Sequence, residues 1–340
     1  MLNNLLAILT LAGAALAGPV EFGRGELDRA IEARRLNPRL FTVKTQVAVD
    51  PPESYRITPG LVTGGDLRGL MYGLLEAADQ VRKTGRLGKV EATAGMAVRG
   101  ARVVIEGFAG ALEWFHGREQ WPPLFRALAI GRFNRFQIAV PDLAGLVSMP
   151  EFPQVAAVAG SEQNLDALRF ISDTAAEYGI DFTLGVWIRQ PADGPYLYAA
   201  LVKVLAACPA IRGVQLRIDG GLAADAIRAV QETGRRITIE LPGDAQATAG
   251  VAASAGLPVR FSAPYPGVFR AVKGAQFFWE LAAPAAGNAP EMTRLVNKLA
   301  GTGANGFEID LPPATLGKVA DPAPAWLPLG RLAYDVSEPK

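Results

Sequence analysis

Acidic side chains recur through this chain where β-strands should end: Glu106, Asp142, Asp219, Glu240, Asp244, Glu280, Glu308 and Asp310. Two carboxyl groups facing each other across a cleft can do acid–base work on a bond held between them, one protonated and the other ionised. Glu240 with Asp310 or Glu308 is the best pair, and Asp219 is a further catalytic candidate. Glu106, Glu280, His116, Trp187, Arg189 and Tyr265 fall on the same side of their segments and would line a binding site. Aromatic faces at such a rim stack on sugar rings, and are also ordinary packing residues. Arg189 is suited to clamp a carboxylate with its planar fork of donors. His116, the single histidine, is either an acid–base group or a loop residue capping the next helix.

Other chemistries are poorly supplied. One histidine and one cysteine, Cys208, exclude multi-histidine zinc sites, Cys-rich metal sites and an internal disulfide. No Gly-x-Ser-x-Gly turn supports a serine-hydrolase triad. No cofactor is expected, since no Gly-x-Gly-x-x-Gly follows the first strand of the repeating region. The 34 basic and 33 acidic residues balance to a net charge of +1, which gives no reason to expect nucleic acid as a partner.

The elements that must position these groups follow from periodicity. From Val98 onward, short apolar runs alternate with helical stretches, the pattern of βαβ units around a parallel sheet. Eight strands are expected: Arg102–Glu106, Arg135–Val140, Phe182–Ile188, Val214–Asp219, Ile237–Leu241, Val259–Ala263, Gln276–Leu281 and Phe307–Asp310. Helices are expected at Leu165–Tyr178, Tyr198–Ala207, Ala223–Thr233 and Glu291–Ala300, with Ala245–Ala255 a further helical candidate. Eight such units closing on themselves make a (β/α)8 TIM barrel; the alternative is an open doubly wound sheet. Several strands alternate polar and apolar residues: Gln215, Arg217 and Asp219 against Val214, Leu216 and Ile218, and Glu308 and Asp310 against Phe307 and Ile309. The apolar face must meet the helices, so the polar face points inward. Charges there must pair or stay wet, as a lattice of arginines and carboxylates or as a polyol-binding site. Arg102, Arg217, Arg236 and Arg260 read as partners of carboxylates. Asp219, Glu240, Glu280 and Asp310 are expected around one cleft at the barrel mouth.

Upstream lies a small α/β domain over residues 21–90, and the barrel with a C-terminal extension covers 96–340. In the small domain Glu26–Leu36 is a helix, and Leu40–Val49 is a strand that Tyr55–Thr58 pairs with. Gly88–Gly95 is a polar linker. Residues 1–18 run apolar to Ala15-Leu16-Ala17, a small-x-small cleavage pattern. The run is short for a bilayer span, and no basic residue precedes it, so a membrane anchor or a misplaced start is the alternative. The signal-peptide reading makes the protein secreted or periplasmic, free of the membrane after cleavage.

Two sets of residues carry a family resemblance. The first is Gly64-Gly65-Asp66-Leu67-Arg68-Gly69-Leu70-Met71-Tyr72-Gly73, a strand-turn-helix with glycines four apart, after the strand Tyr55-Arg56-Ile57. Glycines so spaced let another backbone approach closely. The second set is Ile211-Arg212-Gly213-Val214-Gln215-Leu216-Arg217, Gly306-Phe307-Glu308-Ile309-Asp310 and Leu329-Gly330-Arg331-Leu332-Ala333-Tyr334-Asp335. The chain resembles secreted glycoside hydrolases of the α-glucuronidase and β-hexosaminidase type, in which a small α/β domain precedes a (β/α)8 barrel. The resemblance implies oligo- or polysaccharide as ligand, a uronic-acid side chain among the candidates, and glycosidic hydrolysis by paired carboxylates. Relatives carry a glutamate after the fourth barrel strand, so its acid role passes here to Asp219, in Asp219-Gly220-Gly221. Relatives also continue into a helical C-terminal domain that this sequence is expected to lack. Two functions stay open: a hydrolase, and a non-catalytic barrel that binds saccharide or supports a partner enzyme. A barrel lyase or isomerase is a weaker third.

Overall fold

The computed structural model describes residues 18–108, 112–156, 158–188, 193–267, 275–282, 289–313, 316, 324 and 326–336. The expected leader, apart from Gly18, and Arg189 lie outside them.

The first unit is a four-stranded sheet with two helices. Its strands are β1 (Lys44–Val47), β2 (Tyr55–Thr58), β3 (Leu61–Gly64) and β4 (Val90–Ala92), in the spatial order β1-β3-β2-β4. Helix α1 (Pro19–Ala33) begins on a proline, whose missing N–H costs nothing in the first turn. Helix α2 (Leu67–Thr84) is capped at both ends. Asp66 accepts the Gly69 N–H at 2.6 Å, and Gly85 ends the helix with φ +69°. The apolar faces of the two helices meet through Leu27, Ala30 and Ile31 of α1 and Leu70, Met71 and Leu74 of α2, all buried.

The sheet departs from the expected pairing in two ways. Residues 40–49 do not form one strand: Pro38–Phe41 is a 3-10 turn, and β1 pairs in parallel with β3 rather than with β2. The partners of β2 are β3 and β4, both antiparallel, and β4 falls within the expected linker. The β2–β3 hairpin turns on Pro59-Gly60, with Gly60 at φ +76°, as a proline–glycine turn requires.

The glycine spacing has its expected effect at two of three positions, although Gly65 lies ahead of α2 rather than in it and Gly73 meets the Val62 and Tyr55 side chains instead of a backbone. A Cβ on Gly65 would lie 2.0 Å from the Pro51 carbonyl oxygen, and one on Gly69 would lie 2.2 Å from that of Ser54. Both neighbours are backbone and cannot swing away. Gly69→Ala should therefore destabilise the protein by about 1–3 kcal/mol despite the better helix propensity of alanine. The matched control is Gly250, which has open space around its Cβ position and sits inside the helix Gln246–Ser254. Gly250→Ala should stabilise by roughly 0.5–1 kcal/mol. Urea denaturation of both variants checks the two signs; a stabilised Gly69→Ala would remove the close-approach argument.

The second unit is a closed, all-parallel eight-stranded barrel: β5 (Val98–Val104), β6 (Arg135–Val140), β7 (Asp181–Val186), β8 (Ile211–Leu216), β9 (Thr238–Pro242), β10 (Val259–Pro264), β11 (Gln276–Leu281) and β12 (Gly306–Asp310). Asp310 sits opposite Arg102 where β12 meets β5 and closes the ring. The helices around it are α3 (Glu113–His116), α4 (Trp121–Ile130), α5 (Ser161–Glu177), α6 (Gly194–Ala207), α7 (Gly220–Glu232), α8 (Gln246–Ser254), α9 (Ala289–Ala300) and α10 (Pro328–Asp335). β5 and β8 begin earlier than their alternation suggests, and β8 ends before Arg217.

Buried polar contacts join the two units. Arg99 points away from the barrel interior, is fully buried, and pairs with Glu53 of the small domain. Its Nε donates to the Arg132 carbonyl at 2.6 Å. Glu53 also accepts from Asn134 at 2.7 Å and from Arg68 at 2.8 Å. Tyr334 of α10 donates its hydroxyl to the Glu53 carbonyl at 2.6 Å, so the last helix is tied to the same point.

Candidate functional site

Alternation sends Arg135 and Gln137 of β6, Gln215 of β8, Glu240 of β9, Arg260 and Ser262 of β10, Glu280 of β11 and Glu308 of β12 into the lumen, as polar positions among apolar strand residues. They form a connected ionic lattice. Arg135 is its hub: Nε donates to Glu240 at 3.0 Å, Nη2 reaches the other oxygen of Glu240, and Nη1 takes Glu308. Arg260 adds a bond to Glu240 at 3.3 Å. Arg102 continues the chain to Glu308 at 3.4 Å, to Glu280 at 2.9 Å and to Asp310 at 3.1 Å. Arg217 shares Glu280. Beside this runs a neutral relay: Gln137 donates to Gln215 at 2.8 Å, and Gln215 also accepts the Trp187 indole N–H at 2.8 Å. Glu308 is 0% and Glu240 1% exposed, so these arginine contacts stand in for the water each carboxyl group loses.

Burial pushes the Glu280 carboxyl up, but the guanidiniums of Arg102 and Arg217 outweigh it and hold the group down at about 2. Glu53 is likewise pushed up by burial and held at about 2 by Arg99 and Arg68. Both lie below the ordinary value of 4.5, so the stability they contribute is present above that value and is lost as pH falls toward 2. Each contributes on the order of 3 kcal/mol. Thermal unfolding should weaken steeply over that acid window and be flat from neutrality down to its upper edge. A melting temperature insensitive to pH across the window would contradict the ionic account.

Above the lattice, the C-terminal ends of the strands open into two cavities. One, of about 870 Å³, lies over β5, β6 and β7 and is walled by Val104, Glu106, Val140, Asp142, Trp187 and Ile188, with Gln154, Asp193 and Tyr196 closing the side. The other, of about 1040 Å³, lies over β8, β9 and β10 and is walled by Ile188, Arg217, Asp219, Pro242, Asp244, Ser262 and Pro264. Ile188 belongs to both. Between them, the Arg217 guanidinium lies 4.0 Å from the Trp187 ring centroid, with that of Arg102 at 5.0 Å.

The sequence candidates therefore separate. Glu280 and Asp310 meet at Arg102 beneath the mouth. Asp219 lines the larger cavity beside Arg217, and Glu106 lines the smaller one; neither forms an ion pair with a described residue. Glu240 does not join them around one cleft: it lines a separate cavity at the N-terminal end of the strands. Glu308 is enclosed in the lattice. Trp187 is at the mouth, but its ring is covered by guanidiniums and is 8% exposed, so it is a packed divider rather than an open sugar platform. Tyr265 follows inward-facing Pro264 and so turns outward, where its ring meets Trp279 and Lys298. His116 is held by Asn164 of α5 at 2.7 Å and lines neither mouth cavity. Arg189, outside the described residues, follows Ile188.

Sequence reasoning missed Arg135, the hub, although its place two residues before Gln137 on a strand was a readable signal. It also missed Gln154, Asp193 and Tyr196, which come from segments with no strand-end position to mark them. Among the described residues, no cluster of His, Cys, Asp and Glu is arranged to hold a metal ion. No helix there is long and apolar enough to cross a membrane.

No protein-family model matches the chain, and no curated protein matches it in sequence. Solved structures do match its fold. One is a GH138 enzyme targeting pectin rhamnogalacturonan II, at TM-score 0.73 and 16% identity, covering 93% of this chain and 62% of that one. Another is a doubly substituted CpGH89 from Clostridium perfringens in complex with its substrate GlcNAc-alpha-1,4-galactose, at TM-score 0.53 and 10% identity, covering 95% and 49%. The chain thus spans about half to three-fifths of the length of these neighbours. At this identity the likeness is one of fold: a small α/β unit and a TIM barrel of the kind found in these two glycoside hydrolases.

Proposed function

We propose that the C-terminal mouth binds saccharide, and that a uronic-acid-bearing glycan met outside the cytoplasm is its ligand. The observation that carries this is the pair of mouth cavities on either side of the Arg217–Trp187 divider. Their volumes suit an extended small ligand, and their walls mix apolar surface with carboxylates. The carboxyl groups of Glu106, Asp219 and Asp244 present acceptor oxygens to the cavities, which suits the hydroxyl donors of a sugar. Among the described residues lining the two mouth cavities, Arg217 is the cation available for a uronate. It spends Nη2 on Glu280, and its Nη1 bonds no described residue, so a donor remains for a second carboxylate.

Hydrolysis is the second reading, favoured by one observation: Asp219 stands in the cavity that Arg217 walls and pairs with no arginine among the described residues, while Glu280 behind Arg217 is held ionised. The pair Glu240 with Glu308 or Asp310 is replaced in this reading, because Arg135 and Arg102 already bind those carboxylates. Asp219 is then the carboxyl group that this reading places at the scissile bond.

Calorimetry with oligogalacturonides and with neutral oligosaccharides of equal length tests the binding. Arg217→Ala should weaken the uronate ligand at least ~10-fold and the neutral one far less. Turnover on the same panel decides between the readings. If wild type cleaves, Asp219→Asn should cost about 100-fold or more with binding retained. Binding without cleavage places the protein in the binding class. Neither binding nor cleavage on the panel would overturn the saccharide reading.

A further inference from the structure

The opposite end of the barrel carries chemistry that the mouth does not use. A cavity of about 300 Å³ opens among the N-terminal ends of β5 to β10, and five arginines line it: Arg68, Arg135, Arg212, Arg236 and Arg260. Only two carboxylates share the lining, Asp181 and Glu240.

The charges do not cancel within the cavity. Arg68 is divided between Asp181 at 2.7 Å and Glu53 at 2.8 Å. Arg135 is divided between Glu240 and Glu308. Arg260 gives Nη1 to Glu240 at 3.3 Å, and its Nε is buried with no hydrogen-bond partner. Arg212 and Arg236 form no ion pair with any described residue, and both are exposed. Both lining carboxylates are thus already taken, while guanidinium donors remain. A concave site with unspent positive charge concentrates its field on whatever enters.

We propose that this cavity is a second binding site, for a small oxyanion of the phosphate or sulfate class held by Arg212, Arg236 and Arg260. A guanidinium offers paired N–H donors at the spacing of two oxygens of such an ion. The hydroxyl-bearing Thr183 and Thr238 stand in the same wall. The volume is at the small end for a ligand pocket, and the lining is too polar to favour an apolar guest. The oxyanion arrives either free or as an ester on a sugar. Its site is separate from the mouth, since Arg135 and Glu240 lie between them in the lumen.

The test uses the full chain and titration calorimetry with inorganic phosphate and sulfate, at ionic strength held constant with chloride. Wild type should bind one ion saturably. The double variant Arg212→Ala/Arg236→Ala should bind at least ~10-fold more weakly, since two charge-assisted contacts are lost. These arginines pair with no described residue, so the variant should keep its fold, as checked by circular dichroism. Arg236→Ala alone, expected to show an intermediate loss, serves should the double variant fail to fold. A control, Arg34→Ala/Arg39→Ala, removes the same charge from exposed positions in the small domain and should bind as wild type does. Glucose 6-phosphate binding tighter than phosphate would mark a sugar ester as the natural ligand; equal or weaker binding would mark the free ion. Absence of saturable binding in wild type, or equal weakening in the control, would overturn the proposal. Oligosaccharide binding at the mouth should be unchanged in the double variant, so the two sites can fail independently.

Discussion

Arg135→Leu is expected to lower the unfolding free energy by about 3–5 kcal/mol, because it strands two buried carboxylates at once. Glu240 and Glu308 are almost wholly excluded from solvent, and among the described residues Arg135 alone bonds both in the barrel centre. Leucine fills much of the volume, and the Arg135 guanidinium already stacks 5.0 Å from the Phe278 ring, so packing is not the main loss. The loss is electrostatic: Glu308 keeps only its longer contact to Arg102, and Glu240 only Arg260. Chemical denaturation measures it. The compensated variant Arg135→Leu/Glu240→Gln/Glu308→Gln should recover a large part of the stability, since no buried charge is then left unpaired. A loss below ~1 kcal/mol for the single variant would mean that the lattice is wetter and weaker than its burial implies.

Glu53→Ala should cost about as much, roughly 3–5 kcal/mol, and its damage should be local. Glu53 accepts from Arg99, Arg68 and Asn134, and its carbonyl takes the Tyr334 hydroxyl. Removing the carboxylate leaves Arg99, fully buried, with carbonyl partners and a distant phenol and no counter-charge. The small domain should then loosen from the barrel. Hydrogen exchange should rise first at β2 and at the Gly179–Asp181 segment that Arg68 grips, ahead of the central barrel strands. Glu53→Gln should be milder, because its carbonyl still accepts one of the donors. Uniform exchange across both units would show that the join is not where the stability is concentrated.

These costs bear on function. A barrel whose lumen is filled by paired charges has spent its deep carboxylates on structure. In the two proposals above, ligand binding falls to residues above and below the lattice: Glu106, Asp219, Asp244 and Arg217 at the mouth, and Arg212, Arg236 and Arg260 at the foot. Glu280 belongs to both roles, since it is locked by Arg102 yet shared with Arg217 at the cavity wall.

The sequence alone determined much of the frame. All eight barrel strands were legible as short apolar or alternating runs between helices, and β6 and β11 had their bounds in full. The inward facing of Gln215, Glu240 and Glu308 was legible too, because a period of two leaves a polar residue on a buried strand only one other side to face. The small sheet was less legible. β4 is three residues long and carries too little pattern to stand out, and β1 is paired by the second strand of the β2–β3 hairpin rather than by the first. Which carboxylate meets which arginine was decided by the tertiary structure. Arg135 and Glu308 are 173 residues apart and meet only because the sheet closes on itself. The level of each group along the barrel was decided there as well. The tilt and stagger of closed strands put Glu240 at the foot and Glu280 just beneath the mouth, although both are inward carboxylates. Alternation states which side a residue faces; the shear of the closed barrel sets its height, and one strand's sequence carries no record of that height.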